Sequence, residues 1–145
     1  MELTKLPPDI ISRIIPYTYE IHDKLLLKDI IHYHHSKKIL LELYHKFWMI
    51  DMQSVEIDED KNWLINDIFA YANNYKATMN GYIDDFYNIF KRNNLLQINE
   101  NIDKYVLFLL NKKHVSSQIN IFLGLLTPKE RNDIITFQLI NQLFM

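Results

Sequence analysis

A chain of 145 residues that is 48% hydrophobic is long enough to form one domain with a sizeable core, burying roughly two-thirds of the surface its unfolded form exposes. Its 16 basic and 18 acidic side chains give a formal charge of -2 and are mixed along the sequence, which argues against a dedicated electrostatic binder of nucleic acid or anionic membranes. The absence of cysteine excludes disulfides and thiolate chemistry, and no apolar run approaches the roughly 20 residues of a membrane span, so no membrane insertion is expected.

Gly 2 and Pro 4 supply too little turn chemistry for a many-stranded sheet, so an all-α fold is expected. The first element is short and amphipathic. Leu6-Pro7-Pro8-Asp9 opens it, Pro8 sits where a missing N–H costs nothing, and Ile10, Ile11, Ile14 and Ile15 repeat at helical spacing before Pro16 stops or kinks the helix. Asp23 caps the next segment, where Leu26, Leu27, Ile30 and Ile31 keep the period. Ser36 is a candidate restart ahead of Leu40, Leu43, Tyr44, Phe47 and Trp48, and the sequence leaves open whether residues 23–51 form one helix or two.

After an acidic, solvated connection at residues 55–60, Asp60 or Asn62 caps a helix bearing Leu64, Ile65, Ile68, Phe69 and Ala72, which Asn73-Asn74 ends. Thr78 caps the following one, with Met79, Tyr82, Ile83, Phe86, Ile89 and Phe90 inward. Ile102, Tyr105, Val106, Leu109 and Leu110 give another stripe, closed by Lys112-Lys113-His114 at its C-terminus. Ser116 or Ser117 starts a helix through Ile119, Phe122 and Leu123. Thr127-Pro128-Lys129-Glu130 then combines a capping box with proline at the first helical position, ahead of Ile134, Ile135, Leu139, Ile140 and Leu143. The sum is a single compact domain over residues 1–145 with seven or eight helices, a distinctive segment at 6–48 and a helical C-terminal part at 58–145. Largely buried positions should include Ile65, Ile68, Phe69, Phe86, Phe90, Val106, Leu109, Phe122 and Leu123.

Catalytic chemistry has little footing, and the chain is read as no enzyme. There is no Gly-x-Ser-x-Gly elbow, and Gly81 and Gly124 are too far apart for a phosphate-cradling loop. On a helix His32 and His35 share a face while His34 points elsewhere, and two histidines are too few for a metal site. Asp29 precedes His32, and Glu42 precedes His45, at the Glu-x-x-His spacing of di-metal bundles, but matching inward carboxylates are not evident. No metal and no cofactor are therefore expected. Asp84-Asp85 and Asp58-Glu59-Asp60 read as solvated faces. Lys91-Arg92 and Lys112-Lys113 could contact phosphate, and Tyr71, Tyr75, Tyr82 and Tyr87 could stack on bases, but half of these tyrosines fall on inward stripes. Trp48 and Trp63 read as half-buried anchors.

The stretch 6–48 resembles an F-box, the helical motif by which substrate adapters dock onto the Skp1 subunit of cullin-type ubiquitin ligases. The resemblance lies in Leu6-Pro7-Pro8-Asp9-Ile10-Ile11 with Ile14-Ile15, and in the aliphatic-to-Trp ending Leu41-Glu42-Leu43-Tyr44-His45-Lys46-Phe47-Trp48. The whole chain is also similar to helical F-box-like proteins of nucleocytoplasmic large DNA viruses, through the Leu-Pro opening, Tyr17-Thr18-Tyr19 and Trp63-Leu64-Ile65-Asn66-Asp67. Abundant Ile, Asn, Lys, Tyr and Phe fit an AT-rich genome. The resemblance implies a protein-protein interaction adapter in the cytoplasm of an infected host cell, with a Skp1-like partner held by Leu6, Pro7, Ile10, Ile11, Ile14 and Ile15. The alternatives are a small structural component of a virion or other assembly, for which self-association is expected, and a metal-dependent or nucleic-acid-binding protein.

Overall fold

The computed structural model describes residues 21–144. Among them are six α-helices and no strand. In chain order they are α1 (Ile21–Tyr44), α2 (Glu59–Ala72), α3 (Asp84–Phe90), α4 (Asn99–Tyr105), α5 (Val115–Leu125) and α6 (Pro128–Leu143). Wider π-helical turns continue α1 through His45–Asp51 and α4 through Val106–Leu110. The chain divides into two units, Met1–His32 and Tyr33–Met145. No helix among the described residues is long and apolar enough to cross a membrane. The N-terminal element expected at residues 6–15 lies outside the described residues.

In the larger unit α2 is the central helix and packs most extensively on α5. Its stripe falls as the periodicity requires: Leu64, Ile65, Ile68 and Ala72 are buried and Phe69 is half-buried. Leu40 and Tyr44 of α1, Phe86, Ile89 and Phe90 of α3, Ile102, Val106 and Leu110, Ile119, Phe122 and Leu123 of α5, and Ile134 of α6 complete one core. Its aromatic centre is Phe86, parallel to Tyr82 at 3.8 Å and within 4.9 Å of Phe90. Phe122 stands edge-on to both Phe69 and Phe90. Such rings bury large apolar area in specific tilted geometries, which fixes how α2, α3 and α5 meet.

The capping box forms at α6. Thr127 Oγ1 accepts from the Glu130 backbone N–H at 3.2 Å, and Glu130 Oε1 accepts from the Thr127 N–H at 2.7 Å. Other expectations are corrected. Ser36 does not restart a helix, because α1 runs unbroken from Ile21 to Tyr44 with Ser36 buried within it. Asp58, in the left-handed region at φ 59, is the N-cap of α2 in place of Asp60 or Asn62, and Asp60 is buried rather than solvated. Thr78 starts only a 3-10 turn, Thr78–Asn80; Gly81 at φ 93 reverses the chain, α3 begins at Asp84, and Met79 is 90% exposed. His114, not Ser116 or Ser117, caps α5, its Nδ1 accepting from the Ser116 N–H at 3.2 Å.

Leu109 is 58% exposed, against expectation. The inward row is Ile102, Val106 and Leu110, spaced by four, and the i→i+5 bonding of the π turn rotates Leu109 outward. In α6 the inward row is Arg131, Ile134 and Gln138, so Leu139, Ile140 and Leu143 face out. Buried Arg131 donates its Nε hydrogen to the Leu123 carbonyl at 2.9 Å and lays its guanidinium over the Tyr33 ring at 5.6 Å. Those contacts satisfy a polar group at a position that periodicity assigns to an aliphatic one.

Candidate functional site

Leu6, Pro7, Ile10, Ile11, Ile14 and Ile15 lie outside the described residues. The first part of α1 carries a dense apolar surface: Leu25, Leu26, Leu27, Ile30 and Ile31 are all exposed, Leu25 by 68%. A helical stretch that exposes so many large aliphatic side chains within about two turns is what a protein-docking surface needs, since soluble monomers seldom leave wide contiguous apolar patches uncovered.

The candidate ligands are dispersed. His32 is half-buried, whereas His34 and His35 are exposed, and His34 sits edge-on to Tyr33 at 5.0 Å. Among the described residues no group of three or more His, Asp or Glu side chains converges as a metal site. The acidic stretch at the start of α2 meets basic side chains of its own chain: Asp58 faces Lys61 at 3.7 Å and the His114 ring at 3.6 Å, and Asp60 faces the His45 ring at 3.4 Å. Arg92 is occupied likewise, reaching Glu130 at 2.5 Å and the Leu125 carbonyl at 2.9 Å. Burial raises the Glu130 carboxyl, but its bonds with Arg92 and Thr127 outweigh that and leave it below the usual range. Trp48 and Trp63 stack on each other, parallel within 3° at 4.7 Å, while the Trp63 indole N–H donates to Glu59.

The tyrosines separate into two groups. Tyr44, Tyr71 and Tyr87 donate their hydroxyls to Asp67, Asp133 and Asp103 at 2.5, 3.0 and 2.7 Å. Burial first, and then the adjoining Asp103 carboxylate, push the Tyr87 hydroxyl up to about 12. Tyr44 and Tyr71 are raised likewise, by burial first and then by the Asp67 and Asp133 carboxylates respectively. These three side chains are tied to internal bonds. Tyr75 and Tyr82 make no such bond to a carboxylate, and both line an open cleft of about 540 Å³ between α2, the loop after it and the start of α5. The loop is shaped by buried Asn73. Its Oδ1 accepts from the Ile83 N–H at 2.8 Å, and its Nδ2 donates to the carbonyls of Lys76 at 2.9 Å and Gly81 at 3.4 Å. Asn74 and Tyr75 take left-handed conformations at φ 51 and 60, turning the chain so that residues 75–78 wall the cleft.

Asp67 yields a pH prediction. Burial raises its carboxyl above the ordinary value, and the Tyr44 bond lowers it only in part. The folded state therefore holds that proton more tightly than the unfolded chain. Its contribution to stability is fully present below the unfolded value and is lost as pH rises through the folded one. Asp67→Asn keeps an acceptor for Tyr44 and removes the ionisation. Thermal melts from about pH 4 to 7 should show the variant gaining on the parent as pH rises. A difference that is constant with pH would show that Asp67 titrates alike in both states.

Comparison of the chain with protein-family models, with curated proteins and with solved structures finds no match.

Proposed function

We propose that this chain is a protein-protein interaction adapter whose N-terminal residues, Leu6, Pro7, Ile10, Ile11, Ile14 and Ile15 among them, dock into an apolar groove on a partner. The observation that carries the reading is the exposed aliphatic run Leu25, Leu26, Leu27, Ile30 and Ile31, which follows those residues in the sequence. Two successive amphipathic segments give a helix-in-groove partner its i, i+3 and i+4 anchors, and a few buried anchors supply most of the affinity in such interfaces. The F-box-like residues of the opening and of the Leu41 to Trp48 ending make a Skp1-type ubiquitin-ligase subunit the partner to test first, in the cytoplasm of an infected cell. A second reading, an assembly component, is favoured by the exposed Leu139, Ile140 and Leu143 on α6 and Phe144 just after it, which suit self-association.

The test uses the full chain, purified Skp1-type subunit and two double variants, Ile10→Glu with Ile14→Glu and Ile11→Glu with Ile15→Glu. At least one pair should abolish capture while shifting stability by only about 0.5 kcal/mol, as surface changes do. If both pairs unfold the protein, those isoleucines belong to its own core, and the assembly reading takes precedence. Sedimentation then decides that reading, since an assembly component self-associates.

A further inference from the structure

The cleft beside α2 has a chemistry of its own. Its volume, about 540 Å³, falls in the range of small-molecule sites. Tyr82 and Tyr75 supply aromatic surface. Tyr82 is held in place by parallel stacking on Phe86 at 3.8 Å, and Tyr75 leans on Phe137 at 5.1 Å. Asn66 from α2 and Asn111 from the turn before α5 both line it, and both are exposed. Gln118, which also lines it, donates its amide hydrogen to the Lys113 carbonyl at 2.8 Å and so fixes the wall that carries Asn111. Among the described residues Lys76 is the only charged one lining the cleft, while the Asp67 and Asp133 carboxylates act on Tyr75 and Asp103 on Tyr82 from outside it.

We propose that this cleft binds a nucleobase together with its phosphate. Each carboxamide presents a donor and an acceptor side by side, the pattern that matches the edge of a base. Aromatic faces stack on any base, and a lysine as the one charged side chain in the lining suits one phosphate group. A sugar would also stack on tyrosine, but it has no use for a cation. A free mononucleotide and one nucleotide of a single strand share this chemistry.

The full chain, labelled with nitrogen-15, is titrated with adenosine 5′-monophosphate, with adenosine, with a short single-stranded oligonucleotide and with glucose. Saturable shifts should appear in the Asn66 and Asn111 side-chain amides and in residues 75–78 with the monophosphate, and adenosine should bind more weakly. Tighter binding of the monophosphate than of the oligonucleotide assigns a free nucleotide, and the reverse order assigns a strand. Asn66→Ala and Asn111→Ala, at exposed positions, should each weaken binding about tenfold, and Lys76→Ala should erase the preference for the monophosphate over adenosine. Absence of saturable shifts in the cleft, equal response to glucose, or unchanged affinity in all three variants would overturn the proposal.

Discussion

Phe86→Ala should destabilise the protein by about 3–5 kcal/mol, the range for emptying a fully buried aromatic site. The ring has no exposed surface and packs with the aromatic side chains of five neighbours: Tyr82, Phe69, Tyr87, Phe90 and Phe122. Those neighbours come from α2, α3, α5 and the segment before α3. The cavity cannot be closed by moving one helix alone, because each shift that fills it opens another contact. Chemical denaturation monitored by circular dichroism measures the loss, and Tm should fall by roughly 10 °C or more. A cost below about 1 kcal/mol would mean that Phe86 is not enclosed as described. The same substitution removes the support under Tyr82, so any ligand of the cleft should also bind more weakly to the folded fraction.

What was legible in the sequence was what is decided locally. The α6 start is written in Thr127, Pro128 and Glu130, because a capping box and a first-turn proline need only four consecutive residues. The α2 stripe was legible because Leu64, Ile65, Ile68, Phe69 and Ala72 are all apolar and the helix is long enough to show its period. Periodicity failed where the inward row is not purely apolar or not α-helical. Arg131 and Gln138 occupy buried positions in α6, so the apolar residues 139, 140 and 143 suggested the wrong face. The π turn at Val106–Leu110 turned Leu109 outward. The cleft was legible only in fragments. Its residues at 66, 76, 82, 111 and 118 belong to three separate stretches, and nothing in their spacing says that they meet. One signal was available: Asn73-Asn74 followed by Tyr75-Lys76 marks a turn that places an aromatic and a cation together, and Asn tolerates left-handed backbone better than most residues. The docking surface shows the converse. Its aliphatic period is plain in the sequence at 26, 27, 30 and 31, but period alone does not say whether a stripe faces a core or solvent, and here those residues are exposed.

Asn73→Ala should cost about 2–3 kcal/mol, more than its small size suggests, because one fully buried side chain serves three backbone groups. Truncation leaves the Ile83 N–H without its acceptor and removes the donor from the Lys76 and Gly81 carbonyls. Those groups lie on both arms of the loop that carries the chain from α2 to α3. The loop holds the left-handed residues Asn74 and Tyr75 and the reversal at Gly81, conformations that persist only where surrounding contacts determine them. Asn73→Asp separates the two halves of the role. It keeps an acceptor for Ile83 but sets carboxylate oxygen against two carbonyl oxygens. That repulsion raises the new carboxyl's pKa in the fold, so the variant should be weakest at neutral pH and recover as pH falls through the folded value. Equilibrium denaturation of both variants at about pH 7 and pH 4 tests this, with Asn73→Ala expected to change little between them relative to the parent. A loss confined to Asn73→Ala, with Asn73→Asp as stable as the parent at both pH values, would show that the bond to Ile83 carries all of the effect, and that the Lys76 and Gly81 carbonyls are satisfied by water. In the outcome expected here, the loop loosens before the core does. Hydrogen exchange at residues 75–83 should then accelerate while the α2 and α5 amides stay protected, which places the rigidity of the cleft wall on Asn73.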